Sequence, residues 1–550
     1  MIPTSDPAQS EPPQPEPQRS GPAQPEPQRS EPPQPEPQRS GPAHPSGSLT
    51  RLLDRVERVG NRLPHPFWLF SILFGVVAVT SSIMAAAGVS VEDPATGDPS
   101  PVKNALSVVA IRELLLGVEE SFLTFGPLGT MIIIMLGLAV ADRSGMLESL
   151  ARHALGRVSP SYAVFAVCLA GALSKFLSYS AYVILIPLAA LVFKAVGRSP
   201  MLGMIVGFLS INAAGDANPF IAPGDVIFAR IATEAAQIVD PDTVVRATDN
   251  TYFTTASAVL LAIVLTVVTE KVLSKREHEL VPDDGATGPA TGTRADTVPA
   301  EVELRALRAT GIVAAVFLGL LAVGMIPAGS PLRGENGAIL DSTLFNSIAV
   351  VLSAFFLVIG ATYAHRTGRL TSSRDIPNFM ADGLKSIAPL LVLFFAVSQF
   401  LALFEWTAIS TVVAVRGAEV LQGLDAPIFV VLMLLIAGIA LMNLLITSGT
   451  ALWALLAPVL IPMTMLIGAN PATVMAIYRI ADSCTNSITP MSATFVLTVG
   501  YLQTYQKKAG IGTLVSFTLP AAMAMMAAWI ALFAVWYALG LPLGPGAPIR

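Results

Sequence analysis

Residues 182–200, YVILIPLAALVFKAVGRSP, and residues 453–471, WALLAPVLIPMTMLIGANP, decide the fold. Pro187, Gly197 and Pro200 of the first stretch fall on Pro458, Gly468 and Pro471 of the second at a constant offset of 271 residues, and Pro219 falls on Pro490 at the same offset. Each stretch leads into polar residues, GDANP over 215–219 and ADSCTNSITP over 481–490, at a depth where an apolar helix carries none. Matched Pro/Gly breaks in two halves of an apolar chain point to the binding site of a transporter, because a broken helix exposes backbone groups that hold ions and substrate.

Composition agrees with a polytopic membrane protein. Of 550 residues, 53% are hydrophobic and 13% charged, and the mean hydropathy is +0.64, far too apolar for a soluble chain. The net charge of -5 with scattered basic residues gives nucleic-acid binding no support. Cys168 and Cys484 lie in apolar segments and read as small core residues. Residues 1–48 repeat a ten-residue Pro-rich unit (SEPPQPEPQR, SGPAQPEPQR), which reads as a disordered tail of polyproline II character, with no cleavable signal peptide before the first apolar run near Pro66.

Apolar spans are expected over 67–88, 125–141, 161–193, 201–222, 252–270, 307–327, 343–364, 385–404, 427–467, 471–505 and 513–540. Two of them, 161–193 and 427–467, are too long for one crossing and are interrupted by small polar clusters, Ser174 to Ser180 and Thr447 to Thr450, so each reads as a re-entrant hairpin. Lys and Arg in short loops are retained in the cytoplasm. Arg51, Arg55, Arg58 and Arg62 place the N-terminus there, as do Lys271, Lys275 and Arg276 for the central linker and Lys507 and Lys508 for the last loop.

The predicted fold is an all-α membrane protein of nine transmembrane helices and two re-entrant hairpins that open to opposite faces, an inverted repeat. The expected divisions are the tail over 1–48, scaffold and dimerisation helices over 49–160, and the first hairpin and transport-core half over 161–270. A cytoplasmic linker over 271–306, a second scaffold half over 307–426 and a second hairpin and core half over 427–550 follow.

The broken spans carry the candidate chemistry. Asp216 and Asn218 in one, Asp482 and Asn486 in the other, offer hard oxygen ligands suited to Na⁺, with Ser174 and Ser178 at the first hairpin tip and Ser448 and Thr450 at the second to complete each cage. The simpler alternative is hydroxyls bonded back to their own helices and prolines that only kink. Arg479 lies one turn before Asp482 and offers a forked donor set to a substrate carboxylate or sulfonyl group; an internal Arg479–Asp482 ion pair is the alternative. Asp225 carries a proton or faces a water-filled cavity, or else is solvated at an outer helix end. Trp453 stacks on an aromatic ligand or simply packs. No cofactor other than bound Na⁺ is expected, and no nucleophile–base pair or metal cluster at membrane depth suggests an enzyme.

At these residues the chain closely resembles the p-aminobenzoyl-glutamate transporter (AbgT) family, through YVILIPLAALVFKAVGRSP, SGTALWALLAPVLIPM, YRIADSCTNSITP, KKAGIGTL and LGLPLGPGAP, over roughly residues 50–550. The resemblance implies a homodimer in the bacterial inner membrane, with members described as importers of p-aminobenzoyl-glutamate or as cation-driven exporters of sulfonamide antimetabolites. It places the family's functional aspartates on Asp225 and Asp482, its arginine on Arg479, its tryptophan on Trp453, its hairpin hydroxyl on Thr450 and its helix-breaking prolines on Pro471 and Pro490. The first hairpin departs: the family reads like SSLASDAGYV and this chain reads SKFLSYSAYV, so Lys175 offers a tethered ammonium in place of a cation, balanced by Asp216.

The expected function is H⁺- or Na⁺-coupled transport of a small organic anion of the aminobenzoyl or sulfonamide type in contact with membrane lipid; the alternative is a sodium-coupled dicarboxylate transporter.

Overall fold

The computed structural model describes residues 64–94, 96–155, 159–177, 180–284, 286, 298–334, 337–339, 342–423 and 426–550. The expectations for the Pro-rich tail, for the arginines at 51–62, for Ser178 and Tyr179 and for most of the linker after 284 fall outside the described residues.

Helix α1 (Pro66–Ala86) is followed by a short antiparallel pair, β1 (Ser90–Glu92) and β2 (Pro99–Pro101), then by α2 (Val108–Leu123), α3 (Gly126–Arg143) and α4 (Met146–Leu155). The first hairpin is α5 (Ala163–Ala172), a 3-10 turn over Leu173–Leu177 and α6 (Ser180–Ala195). A broken span, α7 (Pro200–Asn212) and α8 (Pro223–Ala236), and then α9 (Thr251–Val268) complete the first half. In the second half α10 (Ala300–Gly324), α11 (Ile348–Arg366), α12 (Asp375–Trp406) and α13 (Ile409–Gly423) precede the second hairpin, α14 (Ile428–Asn443) and α15 (Gly449–Met465). Its broken span is α16 (Pro471–Asn486) and α17 (Ala493–Gln503), and α18 (Ile511–Leu539) follows.

Among the described residues, seven continuous segments are long and apolar enough to cross a membrane: α1, α2 with α3, α9 with the turns after it, α10, α11, α12 and α18. The two broken spans and the two hairpins supply the rest of the predicted pattern. Two lead-in helices also match between the halves, α4 bending by 113° into the first hairpin and α13 by 119° into the second.

One boundary is corrected. The span expected to end at 222 resumes as α8 and runs to Ala236, where the sequence had suggested an outer loop. Pro223 fixes φ for a first helical turn, and the Asp225 carboxylate accepts the Ala222 N–H at 2.7 Å, so the chain restarts a helix ten residues after the break began. The alternative of a solvated Asp225 falls with it, since Asp225 is buried.

Two helix groups result. In the outer one α3 packs on α11 and α12, α1 lies on α12 and α10 on α11. Lipid offers no hydrophobic drive between helices, so close approach needs small residues. A Cβ at Gly137 would overlap the Ser353 backbone, and one at Gly360 would meet Ala141 backbone atoms at 2.5 and 2.6 Å. The apolar side chains Ile312, Val316, Leu320 and Val323 of α10 stay exposed.

In the inner group α6 folds against α7, α15 against α8, and α14 against α16. Helix α16 is its axis, with Pro471 through Thr485 all buried. The chain end ties into this group: the Leu543 carbonyl accepts the N–H groups of Tyr252 (2.9 Å) and Phe253 (3.0 Å), and the Thr473 hydroxyl donates to the Ile549 carbonyl (2.8 Å).

Candidate functional site

Both hairpin tips and both helix breaks converge on α16. The Ser483 hydroxyl donates to Asp216 of the first break at 2.8 Å, the Thr489 hydroxyl of the second break donates to the Leu444 carbonyl at the second tip at 2.9 Å, and Tyr478 donates to the Gly449 carbonyl beside that tip at 2.6 Å. Breaks free the backbone groups that a continuous helix would pair, and here side chains from the neighbouring elements meet them. Asn443 at the end of α14 donates to the Asp482 carbonyl at 2.8 Å, to the Thr485 hydroxyl at 2.7 Å and to Asn486 Oδ1 at 3.2 Å.

A charge network occupies the junction. Lys175, on the 3-10 turn of the first tip, pairs with Asp216 and lies 3.1 Å from Asp225 Oδ1. The same Asp225 oxygen accepts from Arg479 Nη1 at 2.6 Å, a pair that joins the two halves of the repeat. Arg479, with 1% of its surface exposed, is therefore fixed on α8; among the described residues no ion pair joins it to Asp482, which replaces the internal pairing considered from sequence. Asp482 faces Tyr478, whose hydroxyl lies 3.4 Å from Oδ1, and also meets the side chains of Asn486 and Asp216. Asp482 has no cationic partner among the described ion pairs, so with all three carboxyl groups ionised the junction carries one negative charge more than Lys175 and Arg479 balance.

Aromatic rings wall the network. The Phe228 centroid lies 5.8 Å from Lys175 Nζ and 5.4 Å from Arg479 Cζ, within cation–π range. Trp453 is fully buried, packs on Tyr478 at 4.6 Å and donates its Nε1–H to the Phe228 carbonyl at 3.0 Å. Beside Arg479, Asp225 and Asn218 a cleft leaves only about 10 Å³, room for about one water. A ligand of drug size does not fit the cleft as it stands.

The remaining sequence candidates hold local structure. Ser174 donates to the Gly171 carbonyl (2.7 Å), Asn218 Oδ1 accepts the Phe220 N–H (2.9 Å), and Ser448 accepts the Ala451 N–H (3.4 Å) as the first residue before α15. Thr450 is half-buried in the first turn of α15; Pro471 opens α16 and Pro490 lies buried in the second break. Ser178 is outside the described residues. Among the described residues no group of three or more His, Cys, Asp or Glu side chains could hold a metal ion. Phe228, Tyr478, Asn443 and Ser483 were not candidates from sequence. Tyr478 carried a signal as the neighbour of Arg479 in YRIAD, and Ser483 as part of the polar run ADSCTNSITP.

Comparisons with known proteins identify the family. Residues 51–550 match the family described as the AbgT putative transporter family. The chain is 35% identical over 509 residues to the p-aminobenzoyl-glutamate transport protein of Escherichia coli (strain K12), covering 91% of this chain and 98% of that protein. Two solved structures superpose with a TM-score of 0.81: the YdaH transporter of Alcanivorax borkumensis, whose topology is described as unusual, at 35% identity over 88% of this chain and all of that one, and MtrF of Neisseria gonorrhoeae, described as illuminating a class of antimetabolite efflux pumps, at 34% identity over 90% of this chain and all of that one. A family match across residues 51–550, with two solved structures superposing at a TM-score of 0.81, makes this protein a member of the AbgT transporter family.

Proposed function

We propose that the chain is a cation-coupled secondary transporter of p-aminobenzoyl-glutamate or related aminobenzoyl and sulfonamide compounds, working as a homodimer in the bacterial inner membrane with its N-terminus in the cytoplasm. The observation that carries this reading is the 2.6 Å pair between Arg479 and Asp225. A substrate carboxylate or sulfonyl group competes with Asp225 for the guanidinium, and the released carboxylate then keeps Lys175 as its one cation. Phe228, Tyr478 and Trp453 beside the guanidinium suit the aromatic ring of such a cargo.

Coupling follows from charge. A charge at membrane depth costs ~2.5–3.5 kcal/mol even on the lenient scale, so the excess negative charge at Asp482 is best carried across with a monovalent cation, H⁺ or Na⁺. Anion binding at Arg479 and cation binding at Asp482 share one helix, α16, and the movement of either hairpin against it changes both sites together.

The test is flux in proteoliposomes of p-aminobenzoyl-glutamate and of a sulfonamide, with pH and Na⁺ gradients imposed separately. Arg479→Ala and Asp482→Ala each abolish the flux while the protein stays folded; full flux in both variants would refute the assignment. The relatives give the sodium-coupled dicarboxylate alternative no support, and labelled succinate serves as the control cargo.

A further inference from the structure

Asn250 stands immediately before α9, at the position where an asparagine normally caps a helix, yet its side chain makes no capping hydrogen bond. It is 2% exposed, and both its amide nitrogen and its amide oxygen are buried with no partner. The cleft it lines, with Asn218, Asp225, Thr251, Thr254 and Arg479, is the one beside the guanidinium. Arg479 Nε is buried and unpaired in the same place, because only Nη1 reaches Asp225. Buried polar groups in a native protein are otherwise paired almost without exception. Three unpaired polar atoms thus belong to two residues that line one cleft, available to a ligand that enters it.

We infer that Asn250 reads the acylated amino-acid end of the cargo. Its N–H₂ and oxygen, together with Arg479 Nε–H, present two kinds of donor and one acceptor, the complement of a carboxylate next to a secondary amide. A carboxylate takes the Arg479 fork, and the adjoining amide N–H donates to Asn250 Oδ1, while the aromatic end of the cargo lies toward Phe228 and Tyr478. The assignment rests on the functional reading above and narrows it: this cleft selects an aminobenzoyl amino acid over an aminobenzoate that lacks the amide. A site built to hydrogen-bond an amide discriminates strongly against analogues without one, because its own polar atoms are then left unpaired.

The experiment uses the full chain with Asn250→Leu, of the same branched shape but apolar, and Asn250→Asp, whose carboxylate competes for Arg479. Binding is read by thermal shift with p-aminobenzoyl-glutamate and with N-acetylglutamate, against p-aminobenzoate, and flux by KM and kcat in proteoliposomes. In Asn250→Leu the Kd for p-aminobenzoyl-glutamate rises about tenfold relative to that for p-aminobenzoate, with the loss in KM rather than kcat. Asn250→Asp loses more. The ligand-free Asn250→Leu protein melts no lower than the wild type, since an orphaned amide has been removed. A fall in melting temperature with equal weakening of every ligand would mean a structural role and overturn the inference, as would an unchanged ratio of affinities. Wild-type binding of both acylated amino acids without flux would sink the transport reading and leave the Asn250 assignment standing; failure of the wild type to bind either would sink both.

Discussion

Lys175→Met is the perturbation with the most to say about the junction. It removes an ammonium whose side chain is 15% exposed and paired with Asp216 and Asp225, themselves 12% and 7% exposed. Three carboxylates then face Arg479 alone. Breaking a buried ion pair from one side costs about 3–5 kcal/mol, most of it the penalty on the charges left behind. Asp216→Asn costs less, about 1–2 kcal/mol, because Lys175 keeps Asp225 at 3.1 Å and Asn accepts the Ser483 hydrogen bond as Asp does. The double variant restores the original excess of one negative charge, so it melts above Lys175→Met, with a coupling energy of about 2–3 kcal/mol. Thermal unfolding of the four proteins in detergent at pH 8 gives the cycle. Added Na⁺ stabilises Lys175→Met by up to about 2.7 kcal/mol at a hundredfold excess over its Kd, by filling the position the ammonium left, and does less for the wild type. A single variant that melts with the wild type, or a double variant no better than Lys175→Met, would show that Lys175 is not the counter-ion of this site.

Three further outcomes follow from the structure. Burial pushes the Asp249 carboxyl, in the loop before α9, up to about 6 from its usual 3.8, against the pull of the Arg246 N–H and side chain. Folding therefore favours the protonated acid, stability falls as pH rises from about 4 to about 6, and Asp249→Asn gains up to about 3 kcal/mol at pH 7.5 but nothing near pH 3.5, as melting curves at the two pH values will read. Gly449→Ala sets a Cβ 2.9 and 3.2 Å from the two Asp482 carboxylate oxygens, so that Asp482 must shift; the overpacking costs about 1–3 kcal/mol, and the apparent affinity for the coupling cation falls in a flux titration. Tyr478→Phe loses the 2.6 Å bond to the Gly449 carbonyl, worth ~1 kcal/mol, and hydrogen exchange over 444–450 speeds up about fivefold.

How far the sequence reaches depends on whether a feature repeats or is local. The hairpins and breaks are local: their Pro, Gly and Ser clusters interrupt apolar runs whose length is itself informative, and the helix ends at Ala172, Asn212, Asn443 and Asn486 fall at or beside those clusters. Helix α8 escaped because Asp225, Arg230 and Glu234 break its hydropathy, although the 271-residue offset carries the start of α17 at Ala493 back to Ala222. Helix α13 escaped for the same reason, through Arg416 and Glu419. The Arg479–Asp225 pair spans 254 residues and obeys no period. Its partners were named, but spacing on α16 favoured Asp482, and only the packing of α8 on α16 redirects the guanidinium. Orphaned atoms such as those of Asn250 leave no trace in a sequence at all.

Residues 543–550 cross from the start of α9 to the start of α16, clasping both through Leu543 and Ile549, and Ile549 is 2% exposed. The helix that carries Arg479 and Asp482 is thus moored to the last residues of the chain. Strain on this stretch, whose Arg550 guanidinium donates to the Tyr537 carbonyl at 2.6 Å, would reach the very element a transport assay interrogates. Loss of residues 543–550 would free the starts of α9 and α16 from Leu543 and Ile549 without touching a single site residue.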